Sequence, residues 1–222
     1  TAVRVAVLVA VVAVGVSSPD AASYPATLVL PVGGGIALLR VDAGAFLMGS
    51  DRKKDANATD DELWPGGGQG SVTLPDFYIG KYEVTVAQYT ACVDANGCTP
   101  RDPATRRGRP DLPVVNVAWG EALQYADWLD RTVRASPAAA AALKSLPGDG
   151  WRVGLPSEAE WEKAARGTDG RTYPWGEGIA PDRANYWASN KGGPTAVGAF
   201  PRDASPYGAL DMIGNVAEWT RS

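Results

Sequence analysis

The sequence predicts a mixed α+β domain in which regular secondary structure is sparse. Short apolar runs bounded by proline and glycine are typical of strands joined by turns, and several segments begin with helix-capping signals. Beyond the last of these helices the chain is rich in glycine, proline and aromatic residues and shows no long period. We therefore expect helices and strands first, followed by irregular loops that fold inward.

Composition narrows the functional classes. The 222 residues, 45% hydrophobic and 21% charged, allow one domain or at most two with a buried core. A net charge of -4 without any Lys/Arg run argues against a nucleic-acid surface. The sequence contains no histidine, which excludes Ser-His-Asp triads, Cys-His pairs and His-containing zinc or non-haem iron sites.

The N-terminal segment is an apolar run, VAVLVAVVAVGV, preceded by Arg4. It is short for a membrane span, which needs about 20 residues, and fits a signal-peptide hydrophobic region or part of an anchor. A buried β-strand is the alternative. We predict that residues 1–23 form a signal peptide or membrane anchor segment, that a domain occupies residues 24–222, and that this domain is extracytoplasmic. Membrane contact would then be limited to the N-terminal segment.

The first part of the domain is predicted to contain strands and helices. Residues 26–50 carry apolar runs separated by proline and glycine, residues 51–70 read as a polar surface loop, and SVTLPDFYIGKYEVT resumes strand character. Thr85 and Gln88 have capping-box spacing and open a helix. Apolar residues recur with helical spacing from Trp119 to Leu129.

The helix signal is clearest in LPSEAEWEKAARG. Ser157 and Glu160 have capping-box spacing, Glu158 lies at the positive end of the helix dipole, and Gly167 ends the helix. We attribute the glutamates of this segment, including Glu162, to capping and solubility rather than to acid-base catalysis. A further Ala-rich helix is predicted around residues 138–146.

The two cysteines, Cys92 and Cys98, flank a turn signal in CVDANGC. A turn here would bring the two Cα atoms into disulfide range, so we predict a structural disulfide. The spacing differs from C-x-x-C, and a two-cysteine zinc site would lack other ligands. A disulfide implies an oxidising compartment.

Asp211 and Glu218 lie near the end of the chain, in DMIGNVAEW. With the intervening carbonyls they offer only oxygen ligands, which suit calcium, whereas zinc or copper prefers nitrogen or sulfur. Surface carboxylates are the alternative, and spacing alone does not decide between the two.

Seven segments occur in the order found in the formylglycine-generating enzyme, or sulfatase-modifying factor, family. They are GAFLMGS, YEVTVAQY, LPVVNVAWGEALQYADWL, WRVGLPSEAEWEKAARG, YPWGEG, ANYW and YGALDMIGNVAEW. The chain resembles that family over about residues 41–222. The resemblance implies a C-type-lectin-like fold with calcium-supported loops. It also implies an activity, the copper- and oxygen-dependent oxidation of a cysteine in a sulfatase-type polypeptide to formylglycine.

The resemblance assigns calcium ligands by position. In a first site, the side chains of Asp211 and Glu218 and the carbonyls of Gly214 and Val216 would bind the ion. In a second site the ligands would be the side chain of Asn185 and the carbonyl of Tyr186. The family has a downstream acid there, and Asn190 is the amide left to replace it.

Two departures from the family pattern bear on activity. Ala217 stands where the family often has tryptophan, and the sequence stops at Ser222, before the RGGSW-like segment that holds the copper-binding cysteine pair. We therefore expect an incomplete domain with no catalytic residue of its own, and copper only in the segment beyond. Cys92 and Cys98 lie far upstream and are not assigned that role.

The alternative function is a non-catalytic one. A lectin-like fold serves many functions, so the alternative is a binding or sensor domain of an exported or membrane-anchored protein, for example one linked to a kinase. Whether the protein is an enzyme stays open at this point.

Overall fold

A computed structural model of the protein describes residues 5–13, 24–53, 58–65, 67–100, 109–146 and 150–221. Strands alternate with helices along this part of the chain, so the predicted α+β class is confirmed. The strands are β1 (Val5–Val7), β2 (Ala10–Ala13), β3 (Thr27–Leu30), β4 (Ile36–Val41), β5 (Gly44–Met48), β6 (Gly70–Leu74), β7 (Phe77–Gly80), β8 (Trp151–Gly154) and β9 (Ala217–Trp219). The α-helices are α1 (Val86–Asp94), α2 (Trp119–Ala135), α3 (Pro137–Lys144) and α4 (Glu158–Arg166).

The central feature is a five-stranded antiparallel sheet with the strand order β3-β4-β7-β2-β8. Strands β5 and β6 form a separate antiparallel pair, and β1 runs parallel to β9. Among the described residues, no helix is long and apolar enough to cross a membrane.

The two faces of the sheet carry two separate apolar clusters, because successive side chains of a strand point to opposite sides. Leu38 and Tyr78 contribute to the cluster under α2, together with Tyr125 and Leu129 of that helix. The other cluster lies against α4, and its members include Leu39, Phe77, Ile79, Ala164, Ala165 and Met212. The sheet is therefore covered by α2 on one face and by α4 on the other.

The predicted capping boxes are confirmed. The Thr85 hydroxyl accepts from the Gln88 amide at 3.2 Å, and the Gln88 side chain accepts from the Thr85 amide at 2.9 Å. At the start of α4, the Ser157 amide donates to Glu160 at 2.7 Å, and the Ser157 hydroxyl accepts from the Glu160 amide. These bonds satisfy amides that a helix start otherwise leaves unpaired.

A buried lysine connects α4 to the start of β5. Lys163 is fully buried, and its ammonium donates to the carbonyls of Asp42 at 2.5 Å and Gly44 at 2.9 Å. The two acceptors stabilise a charge that would otherwise be costly to bury. This contact sets the distance between α4 and β5, which form two walls of a cavity described below.

The N-terminal prediction needs a correction. Residues 5–13 are not a segment separate from the domain, since β2 lies inside the five-stranded sheet between β7 and β8. Its register places Ala10 opposite both Ile79 and Gly154. The side chains of residues 6–10 are buried, as the β-strand alternative requires. Residues 1–4 and 14–23 of the predicted signal peptide or anchor lie outside the described residues.

The predicted disulfide is present. Cys92 and Cys98 are bonded, their Cα atoms are 5.3 Å apart, and both residues are buried in the cluster under α2. Asn96 adopts the left-handed conformation in the turn between them. A Cβ atom at Gly97 would lie 2.2 Å from the ring of Trp128, so only glycine fits at this close approach.

Candidate functional site

Four buried carboxylates meet where the loops after α4 fold back onto the sheet. Glu83 lies between β7 and α1, whereas Asp203, Asp211 and Glu218 belong to the C-terminal loops. Glu83, Asp203 and Asp211 are at most 2% exposed, and Glu218 has a fully buried Oε1. We call these four residues the carboxylate cluster.

The backbone around Asp211 is tightly wound. Asp211, Gly214 and Asn215 have φ values of 60°, 77° and 50°, all in the left-handed region. A Cβ atom at Gly214 would lie 2.3 Å from the carbonyl oxygen of Asn185, so glycine is required where these two loops touch. Such a winding turns main-chain carbonyls in new directions within a few residues, which is how loops build cation sites.

Asn215 holds the wound segment in place. Its side-chain NH₂ group donates to Glu83 at 2.9 Å, and its side-chain oxygen Oδ1 accepts from the Thr195 main-chain amide at 2.9 Å. Its main-chain amide donates to Asn185 at 2.7 Å. One residue thereby connects the segment to three other parts of the chain.

Each of the three C-terminal carboxylates accepts a hydrogen bond from an N–H group, and Asp211 is also hydrogen-bonded to Glu83. The Trp161 indole donates to Glu218 Oε2, the Gly198 amide donates to Asp211 Oδ2 at 2.5 Å, and the Asp211 amide donates to Asp203 Oδ2 at 2.9 Å. Arg221 fixes the end of this region by pairing with Glu160 of α4 at 2.7 Å.

Three oxygens of the cluster have no hydrogen-bond partner among the described residues: Glu83 Oε2, Asp203 Oδ1 and Glu218 Oε1. A buried carboxylate oxygen without a partner is costly, and several like charges together make it more so. These unpaired oxygens therefore point to a need for protons or a cation.

The raised pKa values of the cluster also indicate that its charge must be neutralised. Burial raises the pKa of Glu218 to about 8 and that of Asp203 to about 7. Burial also raises the pKa of Glu83 well above its usual range, and the charges of Glu218 and Asp211 raise it further. At neutral pH the cluster must retain protons or be neutralised by a bound cation.

The structure brings two of the predicted ligand side chains, Asp211 and Glu218, into electrostatic contact. It adds Glu83, which the sequence analysis missed because this residue lies more than a hundred positions upstream in YEVT. Within the described ranges no group of three or more acidic or cysteine side chains has a metal-binding arrangement. A cation here would thus need main-chain oxygens such as those of Gly214 and Val216, a mixed set that calcium accepts.

Two of the residues predicted for a second calcium site, Asn185 and Tyr186, accept hydrogen bonds within a short turn. Asn185 Oδ1 accepts from the Ser189 hydroxyl at 3.2 Å, and the Tyr186 carbonyl accepts from the same hydroxyl at 2.6 Å. Asn190 is exposed, at the end of a short 3₁₀ turn (Trp187–Ser189). The oxygens of the first two residues are therefore used to stabilise this turn.

Trp161, which donates to Glu218 of the carboxylate cluster, also lines a cavity of about 670 Å³. Its walls are the end of β5 with residues 48–50, residues 62–65, one face of α4, residues 172–174, and Ile213. We call it the α4 cavity. The described residues that line it include the aromatic side chains of Trp64, Trp161 and Tyr173, together with glutamates and an arginine.

One glutamate of this cavity corrects the sequence analysis. Glu162, attributed above to solubility, has a side chain only 19% exposed and accepts from the Gly49 amide at 2.7 Å and from Arg166 at 2.8 Å. Burial raises its pKa, although the bonds from Gly49 and Arg166 oppose that shift. Glu162 therefore connects α4 to the loop after β5.

The described residues include no free cysteine. Because the sequence contains only two cysteines and both form the buried disulfide, these 222 residues offer no thiolate pair for copper.

Comparisons with known proteins agree with the predicted fold. Residues 33–222 match the sulfatase-modifying factor enzyme 1-like domain. The structure resembles that of PvdO from Pseudomonas aeruginosa with a TM-score of 0.67 and 25% sequence identity, covering 90% of this chain and 75% of that one.

Two curated relatives differ in what their names say about activity. The chain is 37% identical over 127 residues to mouse "Inactive C-alpha-formylglycine-generating enzyme 2", covering 52% of this chain and 34% of that protein. It is 39% identical over 132 residues to the formylglycine-generating enzyme of Mycobacterium tuberculosis, covering 54% and 35%. The chain thus spans about a third of the length of these relatives. The extent of the domain match shows that this chain belongs to the formylglycine-generating enzyme (sulfatase-modifying factor) family.

Proposed function

We propose that this chain is a scaffold portion of a formylglycine-generating-type protein, and that the oxidising centre of that protein lies outside these 222 residues. The observation that carries the proposal is the state of the cysteines: both are buried and joined to each other. Copper activation of oxygen needs thiolate ligands, and a buried structural disulfide supplies none.

In this proposal the carboxylate cluster is a structural calcium site. Asp211 and Glu218 would bind the ion through their side chains, and Gly214 and Val216 through their carbonyls. The unpaired oxygens of Glu83 and Glu218 favour a cation at this place. The ion would supply positive charge where burial opposes carboxylate ionisation, and would so hold the wound loop against the sheet.

The partner of the whole protein would be a sulfatase-type polypeptide that presents a cysteine, and its compartment would be extracytoplasmic. The disulfide supports that compartment because such bonds persist in oxidising environments. Copper would be held by residues beyond those described here.

A second candidate is a non-catalytic binding or sensor domain. The α4 cavity favours it, because a cavity of about 670 Å³ with an aromatic wall has the dimensions of a small-molecule site. The likeness to a relative named as inactive also supports it.

One experiment tests whether these 222 residues can oxidise a substrate cysteine on their own. The purified chain, given copper, oxygen and a sulfatase-type cysteine peptide, should leave the peptide mass unchanged. The double variant Cys92→Ser/Cys98→Ser should give the same result. Conversion of the peptide by the parent chain, lost in that variant, would place the oxidising centre at these cysteines and overturn the proposal.

A second measurement separates the two candidate functions. If the coding sequence downstream of Ser222 specifies a cysteine pair, the scaffold proposal is supported. If it lacks such a pair, the binding-domain candidate takes its place.

A further inference from the structure

The scaffold proposal assigns no role to the α4 cavity. It is large enough for a small molecule, and its wall combines carboxylates with aromatic rings. We propose that this cavity binds a small organic cation with primary ammonium groups, of the aliphatic diamine or polyamine class. The inference goes beyond the proposed function and does not depend on calcium or copper.

The charge of the lining is the first argument. Of the described residues, the glutamates Glu62, Glu158 and Glu162 and the arginine Arg166 line the cavity. The arginine is already engaged, since it donates to Glu162 at 2.8 Å and also to the Gly49 carbonyl. Its side chain is only 11% exposed. Among the described lining residues, carboxylates thus outnumber cationic side chains, which favours a cationic ligand over an anionic one.

The second argument is that two of the carboxylates are held in position. Glu62 accepts from the Ser50 hydroxyl at 3.1 Å and from the Thr59 hydroxyl at 3.0 Å, one bond to each oxygen. Glu162 is held by the Gly49 amide. A carboxylate oxygen that accepts one bond keeps a further lone pair for a second donor. A primary ammonium has three N–H donors for such oxygens, whereas a quaternary ammonium has none.

The third argument comes from the aromatic and apolar wall. Trp64, Trp161 and Tyr173 line the same cavity as the glutamates, and a cation near an aromatic face gains attraction from the ring. The Trp64 ring is held against β6, because a Cβ atom at Gly70 would lie 2.1 Å from it. Met48 and Ile213 add hydrocarbon surface suited to the methylene groups between two ammonium ions.

Titration calorimetry with 1,4-diaminobutane tests the proposal. We expect saturable binding to the full chain that weakens as salt is added, because screening reduces charge attraction. The neutral analogue 1,4-butanediol should not bind detectably. The quaternary analogue, with three methyl groups on each nitrogen, should bind at least several-fold more weakly, since it keeps both charges but has no N–H donors.

Two matched variants locate the site. In Glu62→Gln/Glu158→Gln, both altered side chains belong to exposed residues, so the fold should persist. The affinity should fall by about tenfold, as expected when two partly exposed ion pairs are lost. The control Asp94→Asn/Asp127→Asn removes the same charge from α1 and α2, outside the cavity lining, and should bind as the parent does.

Three results would overturn the proposal: no diamine binding at millimolar concentrations, equal binding of diamine and diol, or equal losses in the two double variants. Circular dichroism of each variant confirms that a loss of binding is not a loss of fold. The peptide-conversion experiment can fail or succeed without affecting these outcomes.

Discussion

The sheet face under α2 and the carboxylate cluster are both buried, but the side chains in them differ in chemistry. Under α2, the side chains that meet are hydrocarbon and aromatic, with the disulfide among them. In the loops, carboxylates meet one another, and several of their oxygens lack partners among the described residues. Regular elements bond their own backbone and can leave apolar side chains to fill the core, whereas irregular loops need side chains or ions to pair their polar groups.

Because of this difference, the stability of the two regions should depend differently on pH and on bound cations. A hydrocarbon core gains stability from burial alone and is indifferent to pH near neutrality. A core of carboxylates depends on what neutralises it, protons or a cation. The domain is therefore expected to have one part whose stability is intrinsic and another whose stability depends on solution conditions.

The largest effect is expected from a cavity in the apolar region. Leu129→Ala removes a fully buried side chain of α2 and should lower the free energy of unfolding by about 2 to 5 kcal/mol. Urea denaturation measures the loss, which should be the same with calcium and with chelator. Leu47→Ala, at a residue 37% exposed, is the control and should change little. A loss for Leu129→Ala that appears only in chelator would contradict the separation of the two regions.

A smaller effect is expected from calcium removal. Chelator should lower the melting temperature, since a ligand at about 100 times its Kd contributes roughly 2.7 kcal/mol to the folded state. Glu218→Ala should remove the difference between calcium-loaded and chelated protein. Asp182→Asn, which alters an exposed acid paired with Arg202, should keep it. Identical melting curves for the parent protein with calcium and with chelator would eliminate the calcium site.

The smallest effect is expected from an exposed ion pair. The Arg171 guanidinium donates to Asp169 at 2.7 Å and lowers the pKa of that carboxyl to about 2. Because the folded pKa is below the ordinary value, the pair stabilises the fold above about pH 4, and this contribution is lost as the pH falls toward 2. Solvent screening limits it to less than about 1 kcal/mol.

Asp169→Asn should therefore be slightly less stable than the parent at pH 6, and the two should converge near pH 2. Thermal melts at both pH values give the comparison. A difference that widens with acidification would show that the sign is wrong.

The sequence was sufficient where structure is decided locally. Thr85 and Ser157 cap their helices with residues three positions away, and Cys92 pairs with Cys98 across a short turn. Each of these contacts depends on a few neighbouring residues, so a local pattern predicts it. The fold itself was implied by the resemblance to the family, which the ordered motifs carry.

Contacts between distant segments could not be predicted. The apolar run at residues 5–13 has the composition of both a signal peptide and a buried strand, and only its pairing with β7 and β8 distinguishes them. Glu83 joins the carboxylate cluster across more than a hundred residues, and no local signal marks it. Glu162 looked like part of a solvated helix face because its burial comes from the loop at Gly49.

The pairing of β1 with β9 has a consequence for biosynthesis. Val5 and Ala217 are partners, about 210 residues apart, so this two-stranded sheet cannot form until almost the whole of the present sequence has been translated. At roughly 5 to 20 residues per second, the delay is on the order of ten to forty seconds. During that interval the apolar residues around Val7 lack their partner strand, so a nascent chain stalled before residue 217 should be a substrate for chaperones that bind extended hydrophobic segments.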